Sequence, residues 1–381
     1  MTGHWFVPYE RTLKGLERKG RKRTLSPIGG IDFTSNDYLG LSSSTRLKKA
    51  LSAAMERGTA IGSGGSRLLR GNHPEHEALE ERAAAFFGAE RAIYFASGYA
   101  ANTALFSTLP KRNDLILADA LVHASLHQGI EGSRAKAVFV RHNDVANVED
   151  LLRRWRSAGA TGIPWIAVES LYSMDGDRAP LEDLLSVVER YDGILVIDEA
   201  HATGVYGPNG RGLAAKIERR ENVILVHTCG KALGVSGALV CANRVICEYL
   251  VNRAREFIYS TAPSPLMAAC VTEALTILDD EPHRRDELER LSTFANKHMA
   301  KALSIPGSGS QILPVLIGDN ARCVRIASRM QQEGFDIRPI RPPTVPEGTA
   351  RLRIAVTRNV DVAVVRSMFD CLGSILDKER V

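Results

Sequence analysis

Lys231 lies in the run Val226-His227-Thr228-Cys229-Gly230-Lys231-Ala232-Leu233-Gly234. Asp198 and His201 lie upstream, in Ile194-Leu195-Val196-Ile197-Asp198-Glu199-Ala200-His201. Each run starts as an apolar strand and breaks, at its C-terminal end, into polar and small residues. In an open parallel sheet such ends line the ligand crevice, so the three side chains are expected in one pocket. A lysine placed to form an imine, with an aspartate to pair with a pyridinium nitrogen, is the constellation that pyridoxal phosphate requires. Gly230, Ala232, Gly234, Ser236 and Gly237 are small enough to let a planar ring approach the backbone around Lys231. The bland alternative is a solvated surface lysine.

The run Asp198-Glu199-Ala200-His201 also marks a family of nucleic-acid-stimulated ATPases. That meaning needs a phosphate loop of the form G-x-x-x-x-G-K-[ST] upstream. The only Gly-Lys pair, Gly230-Lys231, lies downstream and is followed by Ala232, so the ATPase meaning falls. His123 alone reads as a satisfied interior histidine; beside a flat cofactor it becomes a stacking surface. Ser97-Gly98-Tyr99 opens a helix after a strand, where backbone N–H groups and the helix dipole suit a phosphate. Gly62-Ser63-Gly64-Gly65-Ser66 is a flexible or ligand-hugging loop. In Arg351-Leu352-Arg353-Ile354 the arginines share one strand face. They suit surface salt bridges or a forked grip on a substrate carboxylate.

The elements that must position these residues recur in a pattern. Apolar runs at Arg91 to Phe95, Asp114 to Leu117, Ala137 to Val140, Trp165 to Val168, Ile194 to Ile197 and Val223 to Val226 alternate with amphipathic stretches such as Val148 to Ser157 and Leu181 to Tyr191. This implies an α/β fold with a mostly parallel sheet covered on both faces. Polar residues follow every one of these runs: Ser97, Asp119 and His123, His142-Asn143-Asp144, Glu169 to Ser173, Asp198, and Thr228. Six in succession imply a large crevice along one sheet edge. From about Pro265 helices alternate with short strand candidates, at Ile312 to Ile317, Ile337 to Ile340 and Arg351 to Val356, which implies a smaller α+β domain. The expected division is an N-terminal segment over 1–45, a large domain over 46–265 and a small domain over 266–381.

The 381 residues, 44% apolar and 24% charged, have ordinary soluble composition and suffice for more than one core. No run is long enough to span a bilayer, and the charged N-terminus lacks the apolar region of a secretory signal. Six cysteines without C-x-x-C or metal-ligand spacing read as reduced thiols of a cytoplasmic protein, with no metal site expected. The net charge of +5 is modest and partly concentrated in Arg18 to Arg23, a solvated segment or an anion site. Nothing interleaves it with aromatics, so neither nucleic acid nor membrane is an expected partner.

Taken in order, Ser35-Asn36-Asp37-Tyr38-Leu39-Gly40-Leu41, Gly62 to Arg67, Ser97 to Asn102, His123-Ala124-Ser125, Ser173 to Asp177, Asp198 to His201, Thr228 to Lys231, Ile258 to Thr261 and Ile340 to Ile354 resemble the fold-type I, pyridoxal-phosphate-dependent α-oxoamine synthases over nearly the whole chain. The resemblance implies a transferase of this fold. Lys231 would carry the cofactor and move protons, Asp198 would pair with the ring nitrogen, His201 would bond the ring oxygen, and His123 would stack on the ring face. Gly98, Tyr99, Ser173 and Thr228 would hold the phosphate side, with Thr261 supplied from the partner of a homodimer. Asn36 and Arg353 would bind the amino-acid carboxylate; Arg21 and Thr344 would meet the acyl substrate. Family members carry a bulky apolar residue where Cys229 stands, which changes packing beneath the lysine. Arg341-Pro342-Pro343 leans toward the branch that condenses L-alanine with a pimeloyl thioester (of CoA or a carrier protein), releasing CO2. The sister 5-aminolevulinate synthase, glycine C-acetyltransferase and serine palmitoyltransferase activities are alternatives. A non-catalytic nucleotide-binding α/β protein is a distant one.

Overall fold

The computed structural model describes residues 4–25 and 27–379. Strands are numbered along the chain: β1 (Ile31–Asp32), β2 (Arg91–Phe95), β3 (Leu115–Asp119), β4 (Lys136–Val140), β5 (Pro164–Glu169), β6 (Ile194–Asp198), β7 (Val223–Thr228), β8 (Ala238–Ala242), β9 (Ile312–Gly318), β10 (Phe335–Asp336), β11 (Pro339–Ile340) and β12 (Ala350–Ala355). Contacts divide the described residues into two units. One contains Asn36–Ser173 and Asp177–Asp286; the other runs up to Ser35, includes Met174–Gly176, and resumes at Glu287.

The first unit is built on a seven-stranded sheet in the order β2-β8-β7-β6-β5-β3-β4. The strands from β4 across to β7 pair in parallel. Strand β8 runs antiparallel between β7 and β2. Strands β3, β5, β7 and β8 are buried along their whole length, as continuous apolar runs covered on both faces must be. Ile93, Phe95, Leu105, Phe106, Val196, Val226 and Phe257 share one core cluster. The helices Gly98–Thr108, Ala124–Glu131, Val145–Ser157 and Leu181–Arg190 supply the crossovers, so the polar strand ends fall on one edge.

Strand β8 was not anticipated. Five small and apolar residues after a glycine-rich loop carry no period that separates strand from helix. Pairing on both sides makes them a strand.

The second unit is α+β. Its antiparallel sheet has the order β11-β12-β9, and β1 pairs in parallel with β10. Two amphipathic helices, Asn320–Gln332 and Val362–Lys378, start on aspartate caps. Asp319 accepts the N–H of Arg322 and Asp361 that of Val364, each at 2.8 Å. Among the described residues no helix is long and apolar enough to cross a membrane. All six cysteines are unpaired, and five of them are buried.

Candidate active site

Asp198 ends β6, and Lys231 lies three residues beyond the end of β7. The turn that presents the lysine is closed by Cys229 N–H to Gly237 O, Val235 N–H to Cys229 O and Gly234 N–H to Lys231 O, all at 2.9 Å. Gly234 has φ +68°, and a Cβ there would stand 2.4 Å from the backbone nitrogen of Ser42. Only glycine lets the lysine turn and the segment after Asn36 approach so closely.

That approach sets up a hydrogen-bonded row. Tyr38, fully buried, donates its hydroxyl proton to Asn36 Oδ1 at 2.9 Å. Its oxygen therefore receives the N–H at His201 Nδ1, 2.7 Å away. The remaining ring nitrogen, Nε2, is then an acceptor and faces the Lys231 amine at 2.7 Å.

A second network holds Asp198. Its Oδ2 accepts from Asn102 Nδ2 at 2.7 Å and its Oδ1 from Ala200 N–H at 2.8 Å. Asn102 Nδ2 also donates to Ser125 Oγ at 3.0 Å, and Ser125 Oγ lies 2.8 Å from His123 Nδ1. Nδ1 further accepts Ser125 N–H at 3.3 Å, capping the helix Ala124–Glu131. The His123 ring is thus anchored at Nδ1. Burial lowers its pKa; Asp198 opposes that and Lys231 adds to it, so the ring is neutral at pH 7.

Strand register sets Glu169, at the end of β5, beside Asp198. Burial, reinforced by Asp198, pushes Glu169 up to about 8, against the opposing pull of Lys231. It is a neutral acid at pH 7, and Asp198 beside it accepts from two N–H donors.

The phosphate-side residues converge on the ends of β2 and β7. Ser97 caps the helix Gly98–Thr108 by accepting Ala100 N–H at 3.1 Å. A Cβ at Gly98 would meet Thr228 Oγ1 at 3.6 Å, so those two positions adjoin. Ser173 is buried and gives its N–H to Glu169 Oε2 at 3.1 Å. Tyr99 and Thr261 are exposed, and Thr261 lines a small recess with Phe95 and Ala96.

The remaining candidates belong to the other unit. Arg353 and Arg351 are both buried on β12, not surface salt-bridge partners; Arg351 pairs with Asp175. Arg21 pairs with Glu347, and Arg23 donates to Thr344 Oγ1 at 3.1 Å. Residue type and spacing alone assign no site role to Tyr38, Asn102 or Glu169, although each stands in or beside a strand-end motif. A polar residue inside a run of small apolar ones, such as Asn102 after Ala100-Ala101, was the available signal.

An amine, a carboxylate braced by an amide, a neutral imidazole face and a capped helix start are the donor set that a pyridine aldehyde phosphate needs. The chain matches the family model of class I and II aminotransferases over residues 28–368. The 8-amino-7-oxononanoate synthase of Anaeromyxobacter dehalogenans is 40% identical, covering 96% of this chain and 94% of that protein. The crystal structure of 8-amino-7-oxononanoate synthase from Francisella tularensis superposes with a TM-score of 0.78 at 28% identity, covering 92% and 99% of the two chains. Serine palmitoyltransferase from S. paucimobilis, solved with a bound PLP–myriocin aldimine, superposes with a TM-score of 0.88 at 25% identity over 99% and 100%. The chain belongs to the class I and II aminotransferase family and, within it, to the family of the 8-amino-7-oxononanoate synthases.

Proposed function

We propose that this protein is a pyridoxal-phosphate-dependent acyltransferase that condenses L-alanine with a pimeloyl thioester, giving 8-amino-7-oxononanoate, CO2 and the free thiol, a step of biotin biosynthesis. The observation that carries the reading is the Lys231 amine 2.7 Å from a His201 whose other nitrogen is bonded to Tyr38, in the same unit as the braced Asp198. The named relatives favour the pimeloyl branch over its sisters.

When bound, pyridoxal phosphate supplies an electron sink for the pair left at the amino acid's Cα. The chain's own residues do the rest. Lys231 Nζ would hold the cofactor, and its amine would be the base that moves the proton at the amino acid's Cα. Asp198, held by Asn102, would keep a proton on the ring nitrogen. His123 would offer a neutral face to the ring, and His201 would hydrogen-bond the ring oxygen. The start of the helix Gly98–Thr108, with Thr228, Tyr99 and Ser173, takes the phosphate. Asn36, whose Oδ1 accepts from Tyr38, is assigned to the amino-acid carboxylate. Arg353 has the planar fork that grips one, while Arg21 and Thr344 are assigned to the acyl chain. The new C–C bond forms as the thioester breaks, and the former alanine carboxylate leaves as CO2. We also propose a cytoplasmic homodimer, with Thr261 serving the neighbouring site.

Purified protein should be yellow and lose its visible band on borohydride reduction. Four amino acids crossed with four acyl thioesters, scored by thiol release, should single out alanine with pimeloyl-CoA. Preference for glycine with succinyl- or acetyl-CoA, or serine with palmitoyl-CoA, overturns the substrate assignment. A protein that stays colourless with added pyridoxal phosphate overturns the enzyme reading.

A further inference from the structure

Asp119 ends β3 and His142 lies two residues beyond β4, and neither has a part in the chemistry above. His142 Nδ1 lies 2.8 Å from Asp119 Oδ1, and its Nε2 lies 2.7 Å from Asp177 Oδ2. Carboxylate oxygens only accept, so both ring nitrogens must donate and the ring is an imidazolium between two carboxylates. Burial opposes that charge, but the hydrogen bonds to Asp119 and Asp177 outweigh it and push His142 up to about 10.

Each carboxylate organises its own segment. Asp119 Oδ1 takes Leu121 N–H and its Oδ2 takes Asn143 N–H, both at 2.8 Å. Asn143 makes the turn after β4 with φ +53°, and its Nδ2 donates to Asp177 Oδ2 at 2.8 Å. Asp177 O accepts Tyr172 N–H at 2.9 Å, and Leu171 bridges Arg178, which closes the loop that starts at Ser173. The Tyr172 ring stands edge-on to the imidazolium, centroids 4.4 Å apart at 86°. Asp119 precedes His123 by four residues, and Asp177 follows Ser173 by four. One ring thus fastens the segment of His123 and the segment of Ser173 to the end of β4, the edge strand of the sheet.

We propose that His142, held between Asp119 and Asp177, is a positioning residue that fixes the His123 segment against the Ser173 segment and so sets the spacing of two cofactor contacts. The cofactor half of this statement rests on the function proposed above; the coupling of the two segments does not.

The test uses the full chain and three variants. Asp177→Asn keeps size and one hydrogen bond but removes the charge, and His142→Gln removes the ring. Arg141→Gln breaks only the exposed pair Arg141–Asp144 at the same turn. Amide hydrogen exchange, run without cofactor, should rise by about tenfold in both 120–124 and 171–173 in Asp177→Asn and His142→Gln, and stay unchanged in Arg141→Gln. The Kd for pyridoxal phosphate, read from the visible band, should rise by about tenfold in the same two variants. If His142→Gln fails to fold, Asp177→Asn alone decides. Faster exchange confined to 171–173 overturns the coupling. Looser segments with a Kd within twofold of wild type overturn the positioning role. A wild type that takes up no pyridoxal phosphate ends the cofactor reading, and the exchange result still decides the coupling.

Discussion

His123 and His142 follow successive strands of one sheet, yet they are opposite in charge. Around His123, Nδ1 accepts a backbone N–H and faces a hydroxyl, and burial lowers its pKa. Around His142 both nitrogens face carboxylates, and the ring stays charged to about pH 10. The same side chain at the same kind of strand end is a neutral face in one place and a cationic tie in the other. The partners decide, not the strand. Glu169, at the end of β5, repeats the lesson, since burial and the neighbouring Asp198 keep it neutral at pH 7.

The comparison can be broken first on its chemical side. Lys231→Ala should abolish the visible band and lower turnover on the order of 10^4-fold or more, as removal of an attacking group does. Comparable turnover in that variant would dismiss the crevice as the reaction site. Asp198→Asn should cost about 10^2-fold or more in kcat, the size of losing one aligned electrostatic group, with the fold retained by circular dichroism. Asn102→Ala should act in the same direction and also cost about 1–3 kcal/mol of stability, because it strips a buried donor from a carboxylate. A kcat unchanged in Asn102→Ala would mean that Asp198 needs no brace.

The neutral face can be sharpened by His123→Phe against His123→Ala. A stacking surface predicts that phenylalanine keeps cofactor affinity about 3- to 10-fold better than alanine, within the range of aromatic pair energies. Equal losses would point instead to the imidazole nitrogens. The smallest effect concerns the charged partner. His142 acquires its two carboxylates only on folding, so its folded pKa lies above the free value near 6.5. Its stabilisation is fully present below that pH and is lost as pH rises through about 10. Urea midpoints compared between wild type and His142→Gln should differ at pH 7 and converge by pH 11. A constant difference would refute the charged ring.

The apolar strand runs were legible because burial on both sheet faces demands them, and six of the seven central strands follow from that pattern. Strand β8 did not, since its five residues have no period of their own. Among the site residues, Lys231, Asp198, His201 and Thr228 could be placed in one crevice because parallel strands end on one edge. Tyr38 and Asn102 could not be given work, because their roles come from segments far away in sequence: residue 38 meets 201, and residue 102 meets both 125 and 198. The opposite ionisation of His123 and His142 was equally out of reach.

By itself the sequence determined the chemistry available here: a lysine, an aspartate and imidazoles at strand ends, among residues small enough to admit a ring. Periodicity and residue type are local properties, so they can be read along the chain. Only the tertiary structure decided which nitrogen of His201 faces Lys231, that Glu169 keeps its proton, and that His142 bridges Asp119 and Asp177. Those outcomes depend on desolvation and on charges a few ångströms away, and both are created when distant segments pack together.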